Sequence, residues 1–169
     1  TTSLTITGGT DTDADLKTGN VANSNVLESL TLTSSTTGST VVMGTLADAD
    51  ALTSITATGS YGAITVGAIG GTGTAEVLTA VTASASYDSL VKIGAITADT
   101  TNSTTENDLT ITATTDDYAS SRINFTQGGN SITNTQGTVT ITASGGGDVD
   151  FGDITAVDVT ITNSAGASG

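Results

Sequence analysis

The chain has 169 residues, long enough for one sizeable domain, and sets 3 basic against 17 acidic residues for a net charge of −14, a balance that repels nucleic acid and anionic membrane surfaces and makes cations its natural small partners. Without histidine or cysteine it can build no Ser-His-Asp triad, no Cys-His pair, none of the usual zinc sites and no disulfide framework. Threonine at roughly a fifth to a quarter of the residues, with 21 glycines and no proline, points to strands joined by Gly, Asn and Asp turns and away from helices.

In chain order the first strand is SLTIT from Ser3, followed by DTDAD with Asp11, Asp13 and Asp15. That run is like the start of an EF-hand loop, but Leu16 stands where the loop needs Gly and Ala22 where it needs its bidentate Glu, so it is not one. TGNV ends at Val21, and SLTLT from Ser29 with MGTL ending at Leu46 repeats the same order before the acidic pair Asp48 and Asp50. The stretch LTSITATGSYGAITVGAIG, from Leu52 to Gly70, shows the unit most clearly. Ile55 and Ala57 lie on a dry face with Thr56 and Thr58 opposite, a tight turn follows, and Ile64 and Val66 alternate around Thr65. AVTAS from Ala80 and IGAI ending at Ile96 follow, then DLTIT from Asp108 behind Glu106, the pair Asp116 and Asp117, and INFTQ from Ile123, which lacks the glycine. TVTIT from Thr138, GGGDVDFGD over 145–153, FGDI ending at Ile154 and DVTIT from Asp158 complete the series.

The first-strand copies recur about every 25 residues, stretching to about 30 and then shrinking to about 20, which is a repeat of solenoid length with its insertions in loops. Such a unit cannot bury its dry side alone and needs neighbours of the same pattern. The expected fold is therefore all-β, a right-handed parallel β-solenoid of about six to seven coils spanning 1–169 as one domain; an antiparallel β-sandwich is the rival for regularly spaced short strands. Leu4, Leu30, Ile55, Val81, Leu109 or Ile111, Ile141 and Ile161 would form one inward ladder, with the second-strand aliphatics facing it. Gly19, Gly44, Gly67, Gly94 and Gly152 hold one place, expected at a corner of the coil. Tyr61 and Tyr87 sit at the same offset and Tyr118 close to it, so three of the five aromatic residues are expected to stack at one corner as packing.

The acidic residues fall in turns. Asp48 with Asp50, Glu106 with Asp108, and Asp116 with Asp117 could each lend oxygens to Ca²⁺ if a neighbouring coil supplied the rest. In 145–153, Val149 and Phe151 alternate inward while Asp148, Asp150 and Asp153 face a glycine-rich turn, which makes this the strongest candidate cation site. It resembles a decayed calcium nonapeptide of the repeat-in-toxin exoproteins, departing from it at Asp148, where the motif has a later Gly, and in occurring once. Paired carboxylates leave glycoside hydrolysis arithmetically open, but with no Trp and three basic residues the expectation is that the protein is not an enzyme.

SLTLT and SITAT strands with VGAI and MGTL partners, in an acidic Thr/Ala/Gly-rich chain without cysteine, resemble the β-strand-repeat regions of bacterial surface-layer proteins and related exported adhesins. The resemblance implies a calcium-stabilised structural segment at the cell exterior, whose partners are other copies or further repeats of the same chain. The charge balance argues against nucleic acid, and the lack of an apolar run near 18 residues against membrane insertion, with cell-surface polysaccharide left to regions outside this segment. A second resemblance is carried by the Thr-x-Thr ranks at Thr5, Thr31, Thr56, Thr110, Thr140 and Thr160, which are similar to the ice-binding face of solenoid antifreeze proteins. The repeat begins at Ser3 and still runs at Thr162, so each end is expected to meet more protein.

Overall fold

A computed structural model describes residues 2–9, 11–22, 25–70, 77–98, 106–118, 120–125 and 131–165. Its strands in chain order are β1 (Ser3–Thr7), β2 (Asp15–Thr18), β3 (Ser29–Ser34), β4 (Thr40–Met43), β5 (Ser54–Ser60), β6 (Ala63–Val66), β7 (Ala80–Ser86), β8 (Leu90–Ile93), β9 (Ile96–Thr97), β10 (Leu109–Thr115), β11 (Arg122–Asn124), β12 (Ser131–Gly145), β13 (Asp148–Asp150) and β14 (Asp153–Ala165). One sheet runs β1-β3-β5-β7-β10-β12-β14 and a second runs β13-β11-β8-β6-β4-β2. Every described pairing is parallel, which sets the antiparallel sandwich aside and makes the chain a parallel β-solenoid. The strands β3, β5, β7, β10 and β12 have neighbours on both sides, so about five turns lie between the outer rungs. This is slightly below the expected six to seven, because the outermost rungs are paired on one side only.

The coil has three faces where the sequence reading has two. The glycine splits the second register: Met43, Val66 and Ile93 before it belong to the second sheet, while Val21, Leu46, Ile69 and Ile96 after it stack as a third ladder of single bridges. That ladder continues through Ile96↔Ile132 and Ile132↔Ile154. Ile132 is thus the fifth copy's member, supplied further along the chain than INFTQ.

The interior tapers. Along the first sheet the inward positions run from Leu30, Ile55, Val81, Ile111 and Ile141, through Leu32, Ala57, Ala83, Ala113 and Ala143, to Ser34, Gly59, Ala85, Thr115 and Gly145. Side chains shrink in that direction because the two sheets converge on a corner, where Val41, Ile64, Val91 and Ile123 of the second sheet fill the space from the other side. A Cβ on Gly59 would stand 3.1 Å from a Val91 methyl and 3.0 Å from the Ser89 hydroxyl. Each large aliphatic buried in this column stabilises the fold by about 1.5–3 kcal/mol. Register resolves the open choice in favour of Ile111, opposite Val81. Leu52 precedes β5 and, with Leu27 and Leu78, fills the corner leading into each next first-sheet strand.

The glycine corner is a close approach of backbone to backbone. A methyl on Gly67 would lie 2.7 Å from the Gly44 carbonyl carbon, and one on Gly94 2.7 Å from that of Gly67. Only a residue without Cβ lets successive coils stack there. Below, Phe125 and Phe151 stack at 4.9 Å and 11° in the interior of the last coils.

Candidate functional site

Each face presents a different chemistry. On the outward side of the first sheet, register places Thr5, Thr31, Thr56, Thr82, Thr112, Thr142 and Thr162 in one unbroken column. Beside it run Thr7, Thr33, Thr58, Ser84, Thr114, Ser144 and Ser164, and on the other flank Ser3, Ser29, Ser54, Ala80, Thr110, Thr140 and Thr160. These three columns carry no charge; Asp158, paired with Thr138, stands on the same side just beyond them. The Thr-x-Thr ranks at Thr110, Thr140 and Thr160 are displaced by two residues from those of the first coils: Thr112 and Thr142, and not Thr110 and Thr140, continue the column of Thr5.

The second sheet gathers the cations. The chain has 3 basic residues, and all lie on its outward side: Lys17 and Lys92 fall in one register column with Val42, Thr65, Asn124 and Asp150, and Arg122 lies between Leu90 and Asp148 in the next. Sequence reading missed this alignment, since the second strands were recognised by their glycine and aliphatics, and an isolated Lys or Arg gives no register signal.

The acidic residues sit mainly on corners. Asp11 and Asp13, in the first coil, and Asp116 and Asp117, in the fifth, share the edge between the two sheets. Asp13 and Asp48 have positive φ of 63° and 50°, as the short polar side chain tolerates. Asp48 and Asp50 lie on a different edge, flanking the buried Ala49 after the third face. Asp15 faces outward on the second sheet, 3.9 Å from Lys17, and Asp108 accepts the Thr138 N–H at 2.8 Å.

Asp116 is held by several donors. Its carboxylate accepts the Ser121 hydroxyl at 2.5 Å, the Tyr87 N–H of the neighbouring coil at 2.7 Å and the Tyr118 N–H at 3.2 Å. Partial burial by itself would raise its pKa, but the hydrogen bonds from Ser121, Tyr87, Tyr118 and its own N–H outweigh that and hold the carboxyl below its ordinary value. With these donors satisfied, Asp116 organises the turn that carries the tyrosines. Tyr61 and Tyr87 stack at 4.4 Å and 6°, and Tyr118 leans on Tyr87 at 5.5 Å and 51°, as their shared offset predicts.

The stretch 145–153 does not gather its three carboxylates. Asp148 and Asp150 point outward from β13, whereas Asp153 opens β14 beyond the Gly152 corner, on the third face. Asp148 faces Arg122 at 3.4 Å. Gly145, at φ 105°, and Gly147 serve close packing: a Cβ on Gly147 would collide with the Ser121 carbonyl. Among the described residues no group of three or more Asp or Glu lies close enough to hold a metal ion. No helix among them is long and apolar enough to cross a membrane. Comparison with protein-family models, curated proteins and solved structures finds no match.

Proposed function

We propose that this protein is a structural, non-enzymatic scaffold: a stretch of exported, cell-surface solenoid of the surface-layer or adhesin kind that associates with further coils or with other copies of itself. The observation that carries the reading is the uniform register, with the same inward columns stacked coil upon coil and with functional groups spread along faces instead of converging on a centre. The outer edge of β14 supports association, since Val157, Val159 and Ile161 are 70%, 39% and 57% exposed beside a long strand edge that has no partner among the described residues, which favours pairing with another strand. The coil is taken as right-handed, the sense preferred for parallel crossovers. Calcium enters as a counter-ion to the acidic corners and not as a caged ion, easing the self-repulsion of a −14 chain. Sedimentation across a concentration series, with and without millimolar Ca²⁺, tests the reading: association weakened by Ile161→Asp is expected, and a concentration-independent monomer in both conditions would contradict it.

A second reading, ice binding, is favoured by one feature, the three columns of small, mostly hydroxyl side chains with an unbroken threonine column among them. Strands about 4.8 Å apart and same-face residues about 6.6 Å apart along each strand make that face a regular two-dimensional grid. Thermal hysteresis that disappears in Thr82→Tyr would promote this reading over the scaffold, and its absence in the parent would remove it.

A further inference from the structure

The tyrosine column has a chemistry that neither reading uses. The chain has 3 Tyr, no Trp, Cys or His, and 1 Met, and that residue, Met43, is only 1% exposed. Of the readily oxidised side chains, an oxidant arriving from solvent therefore meets the tyrosines alone. Tyr61, Tyr87 and Tyr118 are 48%, 42% and 51% exposed, and all three stand in one stack on the corner between the sheets.

We infer that this column is an oxidative modification site, at which a one-electron oxidant couples Tyr61 to Tyr87 through their ring Cε carbons and staples the third coil to the fourth. Each phenol gives up one electron and one proton to become a phenoxyl radical, whose unpaired spin resides partly on the carbons ortho to oxygen. Two such carbons join, and each ring then returns to the phenol form as its ortho hydrogen moves to oxygen through solvent. The net change is loss of two hydrogen atoms, accepted by a peroxide that is reduced to two waters on a peroxidase. Bond formation between two phenoxyl rings begins along the direction perpendicular to both planes, and Tyr61 and Tyr87 already lie nearly parallel at 4.4 Å and 6°. Tyr118 is further away and tilted at 51°, so its coupling to Tyr87 is the lesser product. Exposure of the corner leaves the rings room to turn out of the stack once joined.

The backbone fixes the pair in place. Tyr61 and Tyr87 occupy matching turns with positive φ of 64° and 53°; the Tyr61 N–H donates to the Ser86 carbonyl at 3.2 Å and the Tyr87 N–H to Asp116 at 2.7 Å. Two groups tethered this way see each other at an effective concentration of at least millimolar order, so at about 10 µM chain, coupling within a molecule should outpace coupling between molecules by on the order of 100-fold.

The test treats the whole chain at about that concentration with a peroxidase and limiting hydrogen peroxide, follows dityrosine fluorescence, and maps the products by digestion and mass spectrometry. The expected product is a monomer lighter by two hydrogens, with one linked peptide pair containing Tyr61 and Tyr87. Tyr87→Phe and Tyr61→Phe, which keep the ring and the turn, should each abolish that product, and Tyr118→Phe should leave most of it. Oxidation in guanidinium should lose the preference among pairs. Links formed only between molecules and rising with chain concentration, a dominant Tyr87–Tyr118 link, or undiminished intramolecular dityrosine in Tyr87→Phe would each overturn the assignment.

Discussion

Gly67→Ala is the sharpest perturbation of the coil, because the added methyl has only backbone to meet. It would stand 2.7 Å from the Gly44 carbonyl carbon, 2.8 Å from the Thr45 nitrogen and 2.9 Å from the Gly44 oxygen, and no side chain can rotate away to admit it. Overpacking of this kind costs about 1–3 kcal/mol. Against it, alanine restricts the unfolded chain and returns about 0.4–1 kcal/mol, leaving a net loss of about 1–2 kcal/mol. For a chain of this size each kcal/mol moves Tm by about 2–4 °C, so Gly67→Ala should lower Tm by about 2–8 °C. Gly19 holds the same place in the first coil, with nothing within 4 Å of its would-be Cβ. Gly19→Ala should therefore leave Tm unchanged or raise it by up to about 2–4 °C. Thermal unfolding followed by circular dichroism reads both. Equal losses for the two variants, or a neutral Gly67→Ala, would show that the glycines serve turn flexibility and not the stacking of coils.

Asp116→Ala should cost about 1–2 kcal/mol, since the Tyr87 and Tyr118 N–H groups lose a charged acceptor and turn to water instead. Because the Asp116 carboxyl is held below its ordinary value, the stability it contributes is complete above the unfolded carboxylate pKa of about 3.9 and is lost as pH falls through its own lower value. The parent's advantage over Asp116→Asn in urea titrations should accordingly shrink below about pH 4, and an advantage constant down to pH 2 would exclude the carboxylate as its source. Ile69→Ala, in the third ladder and fully buried, should destabilise by about 2–5 kcal/mol; a loss below 1 kcal/mol would mean that the third face is not part of the core.

The strands were legible because alternation with a period of two, repeated about every 25 residues, leaves little else for SLTLT, SITAT and AVTAS to be. The same regularity hid the register of the later coils. A run such as Leu109-Thr-Ile-Thr fits its neighbour equally well after a slide of two residues, which keeps every side chain on its face. What decides is the corner: Leu27, Leu52 and Leu78 fill it from three residues before the first-ladder aliphatic, whereas Leu109 lies two before Ile111. The third face escaped detection for a related reason. In VGAI and IGAI a single aliphatic follows the glycine, too short a signal to separate a corner from a continuing strand until the Ile69↔Ile96 bridge is seen. The expectation that the acidic residues fall in turns holds for Asp11, Asp13, Asp48, Asp50, Asp116 and Asp117, whereas Asp15, Asp148, Asp150 and Asp153 lie within strands; composition cannot say which neighbour each carboxylate meets. Arg122 beside Asp148, and the Tyr87 N–H on Asp116, come from coils about 26–29 residues away.

Parallel coils in the described register require distances along one outward column to grow by a fixed step. Spin labels at Thr5→Cys paired in turn with Thr112→Cys, Thr142→Cys and Thr162→Cys span four, five and six coil spacings. At about 4.8 Å per coil, pulsed dipolar spectroscopy should give narrow distributions near 19, 24 and 29 Å, each about 5 Å beyond the last. Distances that fail to rise in this order, or that place Thr162 closer to Thr5 than Thr112 is, would contradict the stacked solenoid and with it the scaffold built upon it.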